Sequence, residues 1–185
     1  NVPHVSDIID PGSDIDTINT ELIIADMESL ERRKIKIDKL AKSGDKEARM
    51  QVEVLSKLSE VLNHNKPARA VIGFNEEQKH YVKSLTLLSA KPVLYICNVM
   101  EPSDIENELV QQVKEIAKQD GSSVIALAGK IEGEIMEIED PEEQKMFMEE
   151  MGLTETGLNR MISAGYGLLE LATYFTAGVK ETRAW

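Results

Sequence analysis

Read by its apolar positions, the chain begins as helix and continues as alternating strand and helix. Ile15, Ile18, Leu22, Ile23, Met27, Leu30, Ile37 and Leu40 recur mostly at spacings of three and four. That is one apolar stripe on a helix opening near Asp14, with Ser13 or Asp14 as its cap. The pattern stops at Lys42-Ser43-Gly44-Asp45, where Gly44 can take the left-handed conformation that ends a helix. Ala48, Val52, Leu55, Leu58 and Leu62 repeat it and end near Asn63-His64-Asn65. Two amphipathic helices joined this closely predict an antiparallel hairpin, each helix covering the other's stripe. Asn1 to Asp14 reads as loop, punctuated by Pro3, Pro11 and Gly12. His4 is a lone histidine there, a residue ordinarily just exposed.

The second half has a different rhythm. Asn75 and Gln78 read as a capping pair for a helix through Leu88, with Val82, Leu85 and Leu88 inward. Val93 to Cys97, inside KPVLYICNVME, is a short unbroken apolar run, as in a central parallel strand buried on both faces. Ser103 with Glu106 matches a capping box for a helix carrying Ile105, Leu109, Val113 and Ile116, which Gly121 stops. Ser123 to Ala128 is a second apolar strand, ending in Ala128-Gly129-Lys130. Strand, helix, strand predicts a right-handed βαβ unit with parallel strands, so the exits at Asn98 and Gly129 lie on one sheet edge. Ligands of open α/β sheets bind beyond such carboxyl ends. Asn98 and Glu101, a carboxamide and a carboxylate on that turn, can read the edge of a purine. The same spacing also describes an Asn turn followed by a helix cap.

Further on, Asp140-Pro141 reads as a cap with proline at the first helical position, and Gly152 as the stop. Thr154 or Thr156 opens a helix with Leu158, Met161, Ile162, Leu168 and Leu169, whose Ala164, Gly165 and Gly167 allow close packing on a sheet. Tyr174 to Trp185 has β-forming residues about Ala177-Gly178, too short a stretch for a domain.

Charge divides the chain again. The net charge is −12 over 185 residues, which argues against the chain as a whole gripping nucleic acid. Residues 21–66 nevertheless hold 10 Lys+Arg against 9 Asp+Glu, leaving 11 against 24 elsewhere. Arg32, Arg33, Lys34, Lys36, Lys39 and Lys42 crowd the distal part of the first helix. They form either a contact surface for RNA or an acidic partner, or a solvated helix end whose cations suit its dipole. Glu132 to Glu150 holds nine Asp+Glu and only Lys145. With no histidine and no convergent spacing, this block reads as a solvated face and no metal site is expected. The single Cys97 excludes a disulfide framework and fits a reducing compartment. No apolar run approaches the roughly 18 residues of a membrane span, and no signal peptide is visible, so no membrane partner is expected. GxxxxGK[ST], GxGxxG, HExxH, GxSxG and paired-Cys motifs are all missing, so nothing in the chain cradles a phosphate or activates a nucleophile.

Three stretches in order, DIDTINTELIIADMESLERR, KPVLYICNVME and TYFTAGVKETRAW, resemble the Obg-like ATPase family, in the branch called YchF or EngD. Members combine a GTPase-like domain, interrupted by a helical hairpin, with a small β-rich TGS domain. The resemblance covers essentially the whole chain. It implies an α/β fold: the distal half of a P-loop, Rossmann-like domain with a parallel sheet, carrying an inserted antiparallel coiled-coil hairpin. Residues 1–20 and 67–173 would belong to the nucleotide-binding domain, 21–66 to the hairpin and 174–185 to the start of the TGS domain. The phosphate-binding loop, the Mg²⁺-binding threonine and the DxxG segment would precede the chain. No catalytic residue or Mg²⁺ ligand is then expected in it, and alone it should neither hydrolyse ATP nor bind it tightly.

The resemblance also places Asn98-Val99-Met100-Glu101 where ordinary GTPases carry Asn-Lys-x-Asp, and Ala128-Gly129 where their other base-contacting loop lies. Guanine presents two donors to one carboxylate, whereas adenine offers an amine beside a bare acceptor. The longer Glu101 disturbs a guanine clamp, and Val99 offers the base an apolar contact. ATP or ADP is therefore the expected nucleotide, GTP the lesser alternative. The parent is expected to be a cytoplasmic, ribosome- or nucleic-acid-associated ATPase. The alternative is an interaction module, in which the basic hairpin docks on a ribosome, RNA or protein and the α/β part is scaffold. Half a parallel sheet also predicts an exposed apolar edge and, through it, self-association.

Overall fold

The structure, a computed structural model, describes residues 9–184, so His4 and Trp185 lie outside the described residues. It divides into two compact units with the boundary between Lys91 and Pro92.

The first unit is helical. α1 (Pro11–Lys42) starts three residues earlier than the apolar pattern suggests. Its cap is Asp10, not Ser13 or Asp14: the Asp10 carboxylate accepts from the N–H groups of Gly12 and Ser13, and Pro11 takes the first helical position. Gly44, at φ +96°, turns the chain, and Asp45 caps α2 (Lys46–Asn63) by accepting from the Ala48 N–H. α2 runs back along α1. Ile23, Leu30 and Ile37 of α1 meet Val54, Leu55, Leu58 and Leu62 of α2 in the core, while Ile18 and Leu40 are exposed rather than inward. Asn75 and Gln78 form the expected capping box of α3 (Glu76–Leu85). α3 stops short of Leu88, because Thr86 turns left-handed; Leu88 faces solvent and Leu87 is buried in its place. A carboxylate sits among these apolar residues. Asp26, 3% exposed, accepts from the Leu88 N–H at 2.8 Å, the Ser89 N–H at 2.7 Å and the Ser89 hydroxyl at 2.6 Å.

The second unit is the βαβ arrangement. β1 (Leu94–Asn98) and β2 (Ser123–Leu127) are parallel, in register from Leu94 opposite Ser123 to Asn98 opposite Leu127. Among the described residues these two strands pair only with each other. β1 is therefore not buried on both faces as expected: Ile96 is 47% exposed. α4 (Glu108–Asp120) connects them and ends at Gly121, φ +72°. The Ser103–Glu106 capping box does not form. Pro102–Glu106 is a 3₁₀ turn, and Asn107 caps α4 by accepting from the Val110 N–H at 2.9 Å. That shift buries Val110, Val113 and Ala117 and leaves Leu109 exposed. Glu106 instead accepts from Lys114 Nζ, which holds its carboxyl below the usual range.

α5 (Gly129–Met136), α6 (Pro141–Glu150) and α7 (Gly157–Leu168) follow, with Asp140 and Thr156 as the caps of the last two. In α7 the apolar Leu158 and Ile162, and Leu169 beyond its end, are exposed. A Cβ at Gly165 or Gly167 would meet nothing within 4 Å, so these glycines do not mark a close approach. Gly157 does: a Cβ there would lie 2.6 Å from Glu132 Oε2 and 2.8 Å from Leu127 Cβ. β3 (Phe175–Ala177) and β4 (Thr182–Ala184) form a small, exposed antiparallel hairpin at the end. Among the described residues no helix is long and apolar enough to cross a membrane.

Candidate functional site

The parallel pairing of β1 and β2 brings their carboxyl ends together. The ladder continues one residue further, with the Val99 N–H donating to the Leu127 carbonyl at 2.9 Å. The next contact is between a side chain and the opposite exit: the Gly129 N–H donates to Asn98 Oδ1 at 3.1 Å. With its oxygen engaged, the Asn98 carboxamide has its NH₂ group left to donate. The approach is close: a Cβ on residue 129 would lie 3.1 Å from Asn98 Oδ1 and 3.2 Å from Leu127 Cδ1.

The rest of the turn is open. Val99 is half-buried, and Met100 is 75% exposed. Glu101 is exposed, its carboxylate receiving the Ser103 hydroxyl at 3.4 Å while its carbonyl accepts from the Asp104 N–H. The turn thus presents an amide donor, an apolar side chain and a carboxylate that is not locked into an ion pair. Such a set can contact a flat, polar-edged ring. Ala128 is fully buried and contributes only its main chain.

Beneath this surface lies a correction to the solvated acidic face expected over Glu132 to Glu150, since its first member is buried. Glu132, in the first turn of α5, is only 7% exposed. Its Oε1 accepts from the Ala128 N–H at 3.0 Å and from Arg160 Nη2 at 3.1 Å; its Oε2 accepts from the Gly157 N–H. Arg160 Nη1 donates in turn to the Ala126 carbonyl at 2.8 Å. α5 has no capping side chain at Ala128, and Glu132 supplies the missing acceptor from inside the helix. The segment Ala126–Gly129 is consequently held at Ala126 O by Arg160, at Ala128 N by Glu132 and at Gly129 N by Asn98. The sequence did carry a signal for this pair: Arg160 is the sole charged residue of GLNRMISAGYGL, and a lone charge in an uncharged helix calls for a partner. The other eight carboxylates of the block are exposed as expected. No group of His, Cys, Asp and Glu among the described residues is arranged to hold a metal ion.

Cys97, the residue before Asn98, is half-buried, and burial pushes its thiol up from the ordinary range despite the opposing Lys114 charge.

The other predicted contact residues lie in the first unit. Arg32, Arg33, Lys36 and Lys39 are exposed on α1 and Lys34 is partly so. At 100° per residue Arg32, Lys36 and Lys39 share the side of α1 opposite Ile23, Leu30 and Ile37. Arg32 has Glu28 at 3.8 Å, one turn earlier. Arg32, Arg33 and Lys36 also line a shallow groove with Ser29, Ile37 and Gln51.

No protein-family model matches this chain. Individual relatives do. It is 50% identical over 188 residues to the ribosome-binding ATPase YchF of Bacillus subtilis, a match covering all of this chain and 51% of that protein. The YchF of Escherichia coli O157:H7 is 45% identical over 185 residues, again all of this chain and 50% of its own. The solved structure of the Schizosaccharomyces pombe YchF GTPase has a TM-score of 0.80 at 26% identity, covering 100% of this chain and 51% of that one. The chain spans about half the length of the relatives it matches. α/β architecture, parallel strand pairing and end-to-end similarity agree: the whole of this chain is homologous to about half the length of the YchF proteins.

Proposed function

We propose that this chain supplies the purine-recognition end of an ATP-hydrolysing P-loop protein of the cytoplasm, with Asn98, Val99, Met100 and Glu101 facing the base and Gly129 across from them. The observation that carries the reading is the Gly129 N–H donating to Asn98 Oδ1. It joins the two strand exits where α/β sheets bind ligands and turns the carboxamide so that its NH₂ group can donate to a purine N7. Val99 and Met100 offer apolar contact to the ring. Glu101 can accept from one exocyclic amine, and its extra methylene compared with Asp works against a two-donor guanine clamp. That YchF relatives are named as ATPases, and one as a GTPase, supports a nucleotide as the ligand. The phosphate end of the site would come from a P-loop that this sequence does not contain. Mg²⁺ accompanies ATP in P-loop catalysis, but the described residues offer it no cluster; its ligands would lie with that loop. By this reading 1–20 and 67–173 belong to the nucleotide-binding domain, 21–66 form an inserted coiled-coil arm, and 174–185 begin a TGS domain.

The test is calorimetric titration of ADP and GDP into the protein produced from its own start codon. ADP binding more tightly than GDP, and weakening by about 1–3 kcal/mol on Asn98→Ala, is the expected result. A clear preference for GDP would sink the role given to Glu101.

A second reading concerns the arm. Arg32, Lys36 and Lys39 lie on the solvent side of α1, and the relatives' names include ribosome binding. Together these favour the hairpin as a ribosome or RNA contact. Charge reversal at Arg32, Arg33 and Lys36 should then abolish co-sedimentation with ribosomes at low salt. Unchanged co-sedimentation would remove the arm from the interface.

A further inference from the structure

We propose that the pair of the buried Glu132 and the partly buried Arg160 is a positioning device for purine recognition, which sets the Ala128–Gly129 main chain so that Asn98 presents its amide to the base. The inference rests on reading the Asn98–Glu101 edge as the base site. Neither side chain belongs to the exposed surface of that edge, so their effect must pass through the segment they hold.

The geometry supports transmission rather than simple support. Within Ala126–Gly129 three main-chain atoms are engaged by three different side chains: Ala126 O by Arg160, Ala128 N by Glu132 and Gly129 N by Asn98. The two ends of this set are joined by the main chain, and hydrogen bonds tie it to the pair. A shift of the Ala128 peptide necessarily moves the Gly129 N–H, which is the group that orients the Asn98 carboxamide. Arginine suits the inner position because one planar guanidinium reaches the Ala126 carbonyl and the Glu132 carboxylate at once, at 2.8 Å and 3.1 Å. Lysine, a single ammonium, is poorly shaped to span both. The Gly157 N–H closes the far side of the carboxylate. The lack of a Cβ at residue 157 matters because that atom would sit 2.6 Å from Glu132 Oε2. The pair therefore rests in a socket tailored to its carboxylate.

The experiment is a double-mutant cycle read by nucleotide binding, in the protein produced from its own start codon. Asn98→Ala, Arg160→Lys and the double variant are titrated with ADP and with GDP, below each variant's melting midpoint. Asn98→Ala should weaken ADP about tenfold, and Arg160→Lys about fivefold. The double variant should bind no more weakly than Asn98→Ala alone, because the pair acts through the group already removed. A merely structural role would instead multiply the two losses, and that result overturns the proposal, as does Arg160→Lys binding ADP like the parent. If Arg160→Lys does not fold, Glu132→Gln, of the same shape, takes its place with the same expectation. If Asn98→Ala leaves both nucleotides unchanged, or neither nucleotide binds the parent, the base-site reading itself has failed. That outcome is separate from the failure of coupling.

Discussion

Among the described residues each unit buries one carboxylate, and the two are satisfied in different ways. Asp26 accepts two N–H groups and a hydroxyl, all from Leu88 and Ser89, so neutral donors of one short segment lock onto α1. Ser89 is itself tied to the chain before α3, its hydroxyl accepting from the Ala68 N–H at 3.0 Å. Glu132 accepts from Ala128 at the start of its own helix and from Gly157 and the Arg160 guanidinium of α7, so an ion pair ties α5 to α7. The first arrangement is local and holds a connection in place. The second converges on the segment that carries the candidate site. Buried polar groups need partners in either case, but the cost of losing them differs. Removing Asp26 strands neutral donors, whereas removing Arg160 leaves a buried charge without its counter-charge.

The largest effect is therefore expected from Arg160→Ala. Breaking one half of a buried pair costs about 3–5 kcal/mol; with Arg160 partly exposed the lower end, about 3 kcal/mol, is expected, and equilibrium urea unfolding of the second unit measures it. The double variant Glu132→Gln, Arg160→Met removes both charges and should recover much of that loss, because an uncompensated ion is more costly than a neutral replacement. A loss under about 1 kcal/mol for Arg160→Ala would place the pair among surface ion pairs in its energetics. The contrast with Asp26 would then disappear.

Asp26→Asn comes next. The amide keeps one acceptor but turns its NH₂ toward Leu88 N–H or the Ser89 donors, leaving at least one buried donor unmatched. The expected cost is about 1–3 kcal/mol, confined to the first unit and visible as faster hydrogen exchange at Leu88 and Ser89. If exchange at those amides stays slow, the lock depends on the packing of Leu87 and Tyr81 rather than on the carboxylate.

These two carboxylates also mark the limit of what was legible beforehand. Local rules worked where neighbours in sequence decide the outcome: the Asn75–Gln78 capping box, the turn at Gly44, the stops at Gly121 and Gly152, and Pro141 after its Asp140 cap. The parallel pairing followed from βαβ handedness, which needs no side-chain detail. Rules of the same kind competed at Ser103–Glu106. There Pro102 favours a 3₁₀ turn, and Asn107 is the better-placed cap, displacing the helix start by four residues. Ile96 is exposed where the apolar run predicts burial, because an apolar residue in a pattern announces a face, not what covers it. Glu132 and Asp26 were out of reach for a deeper reason. Apart from the Ala128 N–H four residues from Glu132, their partners are 25 to 63 residues away, and nothing near either residue announces them. The candidate edge was legible as two strand exits, but the Asn98–Gly129 bond that joins them was not.

The smallest effect separates the two units most cleanly. Cys97 is the single cysteine of the chain and belongs to the second unit. Burial raises its thiol above the ordinary range, with Lys114 opposing more weakly. The folded protein thus holds the thiol proton to higher pH than the unfolded chain does. The associated stability is complete below an ordinary thiol pKa of about 8.5 and declines as pH rises past it. Since the thiolate is the nucleophile, iodoacetamide should label native Cys97 severalfold more slowly than a free thiol at pH 8, with a rate midpoint shifted upward. Arg160→Ala, by loosening the second unit, should bring labelling toward the free-thiol rate, while Asp26→Asn should leave it unchanged. Labelling that accelerates equally in both variants would mean that the units open together, and Cys97 would then report on the whole chain rather than on the edge beside Asn98.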